Sequence, residues 1–210
     1  MTTKPSPGGW RRTGRASKKA WRRGANLLLM DESGLLMAPL VRRSWAQRGH
    51  PPVMQQEAGH RQKVSVAAAL WLPPLRDRLG LAYQTLVNGY FSNAEVAEFL
   101  GCAVEGLPGP VIAIWDRGPM HKGDPIRELV DQSGGQLALE PLPAHAPELM
   151  PVEQLWTWLK YDRLCNYAPE DAPQLNEVVV GELEAIRDDQ PRLRNFFHAS
   201  DLPLPRALLT

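Results

Sequence analysis

The chain reads as a mixed α/β domain, a central sheet with helices on its faces. Three observations predict this. Short apolar runs bounded by turn residues recur at Leu27–Met30, Val64–Leu72 and Val111–Trp115, as buried strands do. Apolar residues at helical spacing fill later segments, for example Val96, Phe99, Leu100 and Ala103. The order of the two patterns, strands first and then strand–helix–strand–helix, is that of a sheet flanked by helices.

In chain order, Leu27–Met30 is a buried strand that ends at Asp31, and Asp31-Glu32-Ser33-Gly34 has turn chemistry. Val41–Ala46 then reads as a return strand, Val64–Leu72 as a third and Leu79–Val87 as a fourth. Ser92 followed by Glu95 resembles a capping box and opens a helix. Val111–Trp115 is a further buried strand, and residues 125–133 form a helix stopped by Gly134-Gly135. Gln136–Leu142 is a short strand, and a Pro-rich loop leads to a helix over 151–163 with Pro151 at its first position. Residues 171–188 and 190–198 are two closing helices.

The 210 residues suffice for one sizeable core. Net charge is +1, but its distribution is uneven: residues 1–30 hold eight of the 24 bases and none of the 23 acids. Residues 1–24 are therefore expected to be a disordered basic arm suited to a DNA backbone, with a solubilising tail as the plain alternative. Arg11, Arg12, Lys18, Lys19, Arg22 and Arg23 are its candidate DNA contacts, and Lys160 is a further one in the body. The body is expected to span 25–202, with a tail at 203–210. Cys102 and Cys165 lack zinc-site spacing and are expected to be buried, reduced thiols of a cytoplasmic protein. The apolar run Ala25–Met30 is too short for a signal peptide, and nothing approaches a membrane span.

Three acids are the candidate chemistry. Asp31 and Asp116 each follow an apolar run, and Glu153 lies at the rim of the stripe Val152, Leu155, Trp156 and Leu159. Side chains alternate along a strand, so only one of Asp31 and Glu32 can enter a given site, and Asp31 is the choice. Two acids at strand ends and one on a helix can converge on two divalent metals roughly 3.5–4 Å apart, the arrangement of phosphodiester chemistry. Each acid also has an ordinary explanation: a turn for Asp31, pairing with Arg117 for Asp116, helix capping for Glu153. His121 could orient a carboxylate or a phosphate.

The blocks Leu29-Met30-Asp31-Glu32-Ser33-Gly34, Trp115-Asp116-Arg117-Gly118-Pro119-Met120-His121 and Leu142 to Gln154 together resemble the signature blocks of DDE transposases. The branch is the mariner-like superfamily, in particular the bacterial insertion-sequence-630 group. Val41–Gly49, Trp156–Tyr161 and Phe196-Phe197-His198 add to the likeness, as do spacings of 85 and 37 positions between the acids. The likeness runs from about Ala25 to Leu202. It implies an RNase H-like fold of the retroviral-integrase type, with a mixed five-stranded sheet flanked by helices. It implies that Asp31, Asp116 and Glu153 bind two Mg2+ ions, with Mn2+ as a substitute. The implied activity is cleavage of DNA at insertion-sequence ends, then transfer of the freed 3′ hydroxyl to target DNA.

The implied partners are DNA, a second copy of the chain on that DNA, and a separate helix-turn-helix polypeptide that reads the ends. The implied setting is the bacterial cytoplasm, at the nucleoid. Three places depart from the family, one of them Ala144-His145, which stands where Pro-Tyr or Pro-His is usual. Arg117 stands where Asn is usual, and is expected to compete with metal for Asp116. Met150 stands where Asn would cap the Glu153 helix, at a cost on the order of 1 kcal/mol. Asn at both positions is expected to raise cleavage. These departures support an alternative reading, a catalytically impaired regulatory remnant that binds DNA. A general RNase H-like nuclease is a third.

Overall fold

The computed structural model describes residues 24–38, 40–50, 53, 62–75, 77–143 and 146–202. Five strands, β1 (Asn26–Leu36), β2 (Lys63–Leu72), β3 (Gly80–Val87), β4 (Val111–Trp115) and β5 (Leu137–Pro141), form one sheet in the order β3-β2-β1-β4-β5. The first three make an antiparallel meander, and β4 and β5 add to β1 in parallel. The basic arm at 1–23, the 203–210 tail and the Ala144-His145 pair lie outside the described residues.

Both faces of the sheet are covered, which is why β2, β4 and the Leu27–Met30 stretch of β1 are almost continuously apolar rather than alternating. One face packs Leu28, Met30, Val111, Ala113 and Trp115 against α1 (Asn93–Glu105) and α2 (Asp124–Gln132). The other packs Leu27, Leu29, Ile112 and Ile114 against α3 (Pro151–Trp158), α4 (Ala172–Ile186) and α5 (Gln190–Ala199). The expected capping box is present at α1: Ser92 accepts from the helix backbone and the Glu95 side chain reaches back to the Ser92 N–H. α3 runs on into a π-helical turn, Leu159–Arg163, closed by Leu164 N–H donating to the Leu159 carbonyl at 2.9 Å. No described helix is long and apolar enough to cross a membrane.

Three expectations fail. β1 does not turn at Asp31; it continues to Leu36, with Asp31 opposite Ala68 and Gly34 opposite Ser65. The ten-residue β2 supplies backbone partners along that whole length, and these outweigh local turn preference. Val41–Ala46 is not a strand. The antiparallel place beside β1 that a return strand would take is filled by β2, which pairs with it from Leu27 to Leu36. The chain instead runs exposed past the π-helical turn. There the Arg42 N–H bonds Asn166 Oδ1, and its guanidinium bonds the Tyr161 carbonyl and Asp162. Cys102 is exposed and Cys165 half-buried, both as free thiols.

Candidate active site

The strand register decides which acids meet. β4 pairs with β1 only from Asn26↔Val111 to Leu29↔Ile114. Leu27, Leu29 and Asp31 share one face of β1, and Ile112, Ile114 and Asp116 follow the same phase on β4. Both acids therefore stand just past the last paired residues, on the α3 side. Glu32 takes the opposite phase and points to the α1–α2 side. α3 brings Glu153 to the same place: Val152, Leu155 and Trp156 are buried beneath it, while Glu153 stays half-buried at the rim.

Asp31, Asp116 and Glu153 line one cavity of about 470 Å³, with Arg117, Gly118, Leu142, Pro143, Ala146, Pro147 and Met150. Trp156 donates its indole N–H to Asp31 Oδ2 at 2.8 Å. Burial pushes the Asp31 carboxyl up to about 7 against that hydrogen bond, and the charges of Glu153, Glu32 and Asp116 add to the rise. Glu153 is raised as well, by burial first and by Asp116, with Lys160 opposing. Lys160 is half-buried and donates to Ser33 Oγ at 2.6 Å, so it stands beside the acids rather than on an open surface.

Asp116 is more exposed, and two donors meet one of its oxygens. The Gly118 N–H donates to Asp116 Oδ1 at 2.7 Å, and His121 Nδ1 lies 2.7 Å from the same oxygen. The other ring nitrogen of His121 is 3.1 Å from both carboxylate oxygens of Glu32. The imidazole lies flat on Trp115, with centroids 4.5 Å apart and planes 4° from parallel. Burial favours the neutral ring, but the Glu32 and Asp116 contacts outweigh it and raise the His121 pKa. A β-carbon at Gly118 would come within 3.0 Å of Asp116 Oδ1 and 2.7 Å of Met120 Sδ, so a larger residue here would displace the Met120 side chain and press on Asp116.

Arg117 does not pair with Asp116. Its Nε donates to the Leu142 carbonyl at 3.1 Å and ties the β4 end to the loop after β5. The first turn of α3 lacks a side-chain cap, with Met150 at the N-cap position. Glu153 makes no capping bond there; its own N–H donates to the Met150 carbonyl. Sequence reasoning missed Trp156 as a partner of Asp31 and set Glu32 aside; the stripe through Trp156 and the alternation along β1 were the signals available. It named His121 for the role of orienting a carboxylate without finding its partners.

The three acids are oxygen donors, the type Mg2+ prefers, and they crowd negative charge around one cavity. Among the described residues, no three His, Cys, Asp or Glu side chains are drawn tightly enough together to hold an ion as they stand.

A family model described as DDE superfamily endonuclease matches residues 26–177. Solved structures share the fold, an RNase H-like mixed five-stranded sheet flanked by helices. One is a paired-end complex of Mos1 transposase with the left transposon end, at 13% identity and TM-score 0.60, matching 96% of this chain and 65% of that one. A pre-cleavage Mos1 transpososome matches at 15% identity and TM-score 0.63, over 95% of this chain and 60% of that one. The catalytic domain of Mos1 mariner transposase matches at 13% identity and TM-score 0.52, over 95% of this chain and 90% of that one. The chain thus spans under two thirds of the length of the transposases in those complexes. No curated protein matches it.

Proposed function

The chain belongs to the DDE superfamily endonucleases, and from that premise we propose that it is the catalytic domain of a mariner-type transposase. The proposed reaction is cleavage of a DNA strand at the end of an insertion sequence, followed by attack of the freed 3′ hydroxyl on target DNA. The observation that carries the proposal is the convergence of Asp31, Asp116 and Glu153 on one cavity, from two neighbouring parallel strands and a facing helix. Similar complexes of Mos1 transposase contain transposon ends, and others contain Mn or Mg, which supports DNA as substrate and a divalent metal as cofactor.

In this proposal the three acids hold two Mg2+ ions, and Mn2+ substitutes for them. Such a pair lowers the pKa of an attacking water and stabilises the leaving oxygen of an in-line displacement. The protein's part is to position and to shield. Trp156 occupies one oxygen of Asp31 and leaves the other for the cavity. Lys160 offers a positive charge at the Glu153 edge, where a DNA phosphate would approach. Leu142, Pro143, Ala146, Pro147 and Met150 form a largely apolar wall against bulk water. Arg11, Arg12, Lys18, Lys19, Arg22 and Arg23 are proposed to neutralise flanking phosphates. A second copy of the chain and a separate helix-turn-helix polypeptide complete the proposed complex on the bacterial nucleoid.

Arg117 turns to the Leu142 carbonyl and leaves Asp116 free of an ion pair with it, which supports an active domain over an impaired regulatory remnant. The test is nicking of supercoiled plasmid by the purified chain in Mn2+ or Mg2+. A 3′-hydroxyl oligonucleotide is added to read joining, with a 3′-blocked one as control. Metal-dependent nicking that Asp31→Asn, Asp116→Asn and Glu153→Gln each abolish is the expected result. Nicking that survives all three changes would refute the assignment, and cutting confined to RNA–DNA hybrids would point to a general nuclease.

A further inference from the structure

The proposed reaction leaves one ionisable pair unused, Glu32 and His121, on the far side of the sheet from the cavity. The His121 side chain is only 2% exposed and Glu32 13%, so neither is placed to meet DNA. Their contacts fix the imidazole one degree of freedom at a time. Stacking on Trp115 sets the plane of the ring. Two contacts of 3.1 Å from Nε2 to Glu32 set its rotation within that plane. Nδ1 is then aimed at Asp116 Oδ1, 2.7 Å away.

Asp116 needs such a brace. It follows the last residue of β4, its side chain is 58% exposed, and no other described side chain holds it. We propose that Glu32 and His121 are a positioning pair. Through Nδ1, and with the Gly118 N–H, they hold Oδ1 of Asp116 and leave Oδ2 as the oxygen offered to a divalent cation. This inference rests on the reading of Asp116 as a metal ligand. It explains why the Asp-Glu dipeptide at 31–32 serves the site from both faces of the strand: Asp31 directly, Glu32 through His121 and Asp116. Partners that orient a ligating side chain are worth 10–100-fold in metal affinity in other sites.

The test is Mn2+ binding to the purified chain, followed by the loss of the free-ion electron paramagnetic resonance signal, with thermal melting alongside. In His121→Asn the amide nitrogen falls near the position of Nδ1 and can still reach Asp116. In His121→Gln it falls near Nε2 and reaches Glu32 instead. The expected result is a dissociation constant within about threefold of the parent for His121→Asn, and about 10–100-fold weaker for His121→Gln. Glu32→Gln should weaken binding by about tenfold, and it carries the test if His121→Gln does not fold. A purely structural histidine would give equal melting losses in the two His121 variants and parental Mn2+ affinity in both, and that result overturns the inference. A parent whose Mn2+ binding is untouched by Asp116→Asn overturns the metal-ligand reading itself, and this inference with it. Parental binding lost in Asp116→Asn but kept in His121→Gln and Glu32→Gln overturns the positioning pair alone.

Discussion

At the residue scale, the site concentrates like charge in a poorly hydrated place. Burial and three neighbouring carboxylates push Asp31 up to about 7, far above an ordinary aspartate. At pH 8 without metal the folded state carries that charge at a cost the unfolded chain does not bear. Asp31→Asn should therefore stabilise the metal-free domain by about 1–3 kcal/mol, a rise of several degrees in melting temperature. The same change should remove any stabilisation by Mn2+. A melt of parent and variant in EDTA and in Mn2+ checks both. A second expectation concerns Trp156, whose ring is buried and whose N–H holds Asp31. Trp156→Phe keeps most of the packing and deletes the donor, so Mn2+ affinity should fall about tenfold or more. Isothermal titration measures it, and unchanged affinity would mean that the hydrogen bond does not organise Asp31. Neither effect was legible in the sequence. Whether a buried tryptophan only packs or also donates depends on which strand end lies opposite it, and that is a long-range fact.

At the element scale, β2 through β5 and the five described helices follow the spacing of apolar residues closely, because each pattern is local. The two misread segments, Asp31–Leu36 and Val41–Ala46, are those whose state depends on a remote partner. α3 shows how magnitudes reverse a local rule. Met150 caps nothing, so Met150→Asn would add a cap contact of about 1 kcal/mol. Yet Met150 is 3% exposed and packed in the core, and truncating such a side chain costs about 2–5 kcal/mol. The net expectation is destabilisation, by a few degrees in a thermal melt. The gain from a restored helix cap is thus outweighed by the lost packing; a raised melting temperature for Met150→Asn would show the opposite.

At the scale of the whole molecule, the three acids are spread over 123 positions, yet the sheet order alone brings two of them side by side and the packing of α3 adds the third. That convergence was anticipated from the likeness of the sequence blocks to a family, not from the physics of any single acid. The basic residues of 1–24 are proposed to act on DNA affinity. Deleting them should weaken DNA binding and flatten its dependence on salt, since each neutralised phosphate contributes about −0.9 to the logarithmic slope. Fluorescence anisotropy across a salt series tests this, and an unchanged slope would remove the arm from the interface.

The pairing of Leu36 with Lys63 carries a consequence for how such a domain can vary. The chain leaves the sheet and re-enters it at adjacent rungs, so everything between is an excursion whose ends are already held together. Doubling the length of such a loop adds only about 0.6 kcal/mol of closure entropy. Beyond the Arg42 anchor the excursion can therefore change in length while Asp31 and Asp116 keep their places: the strand that carries the first acid of the site also leads into a stretch where the chain can lengthen at little cost.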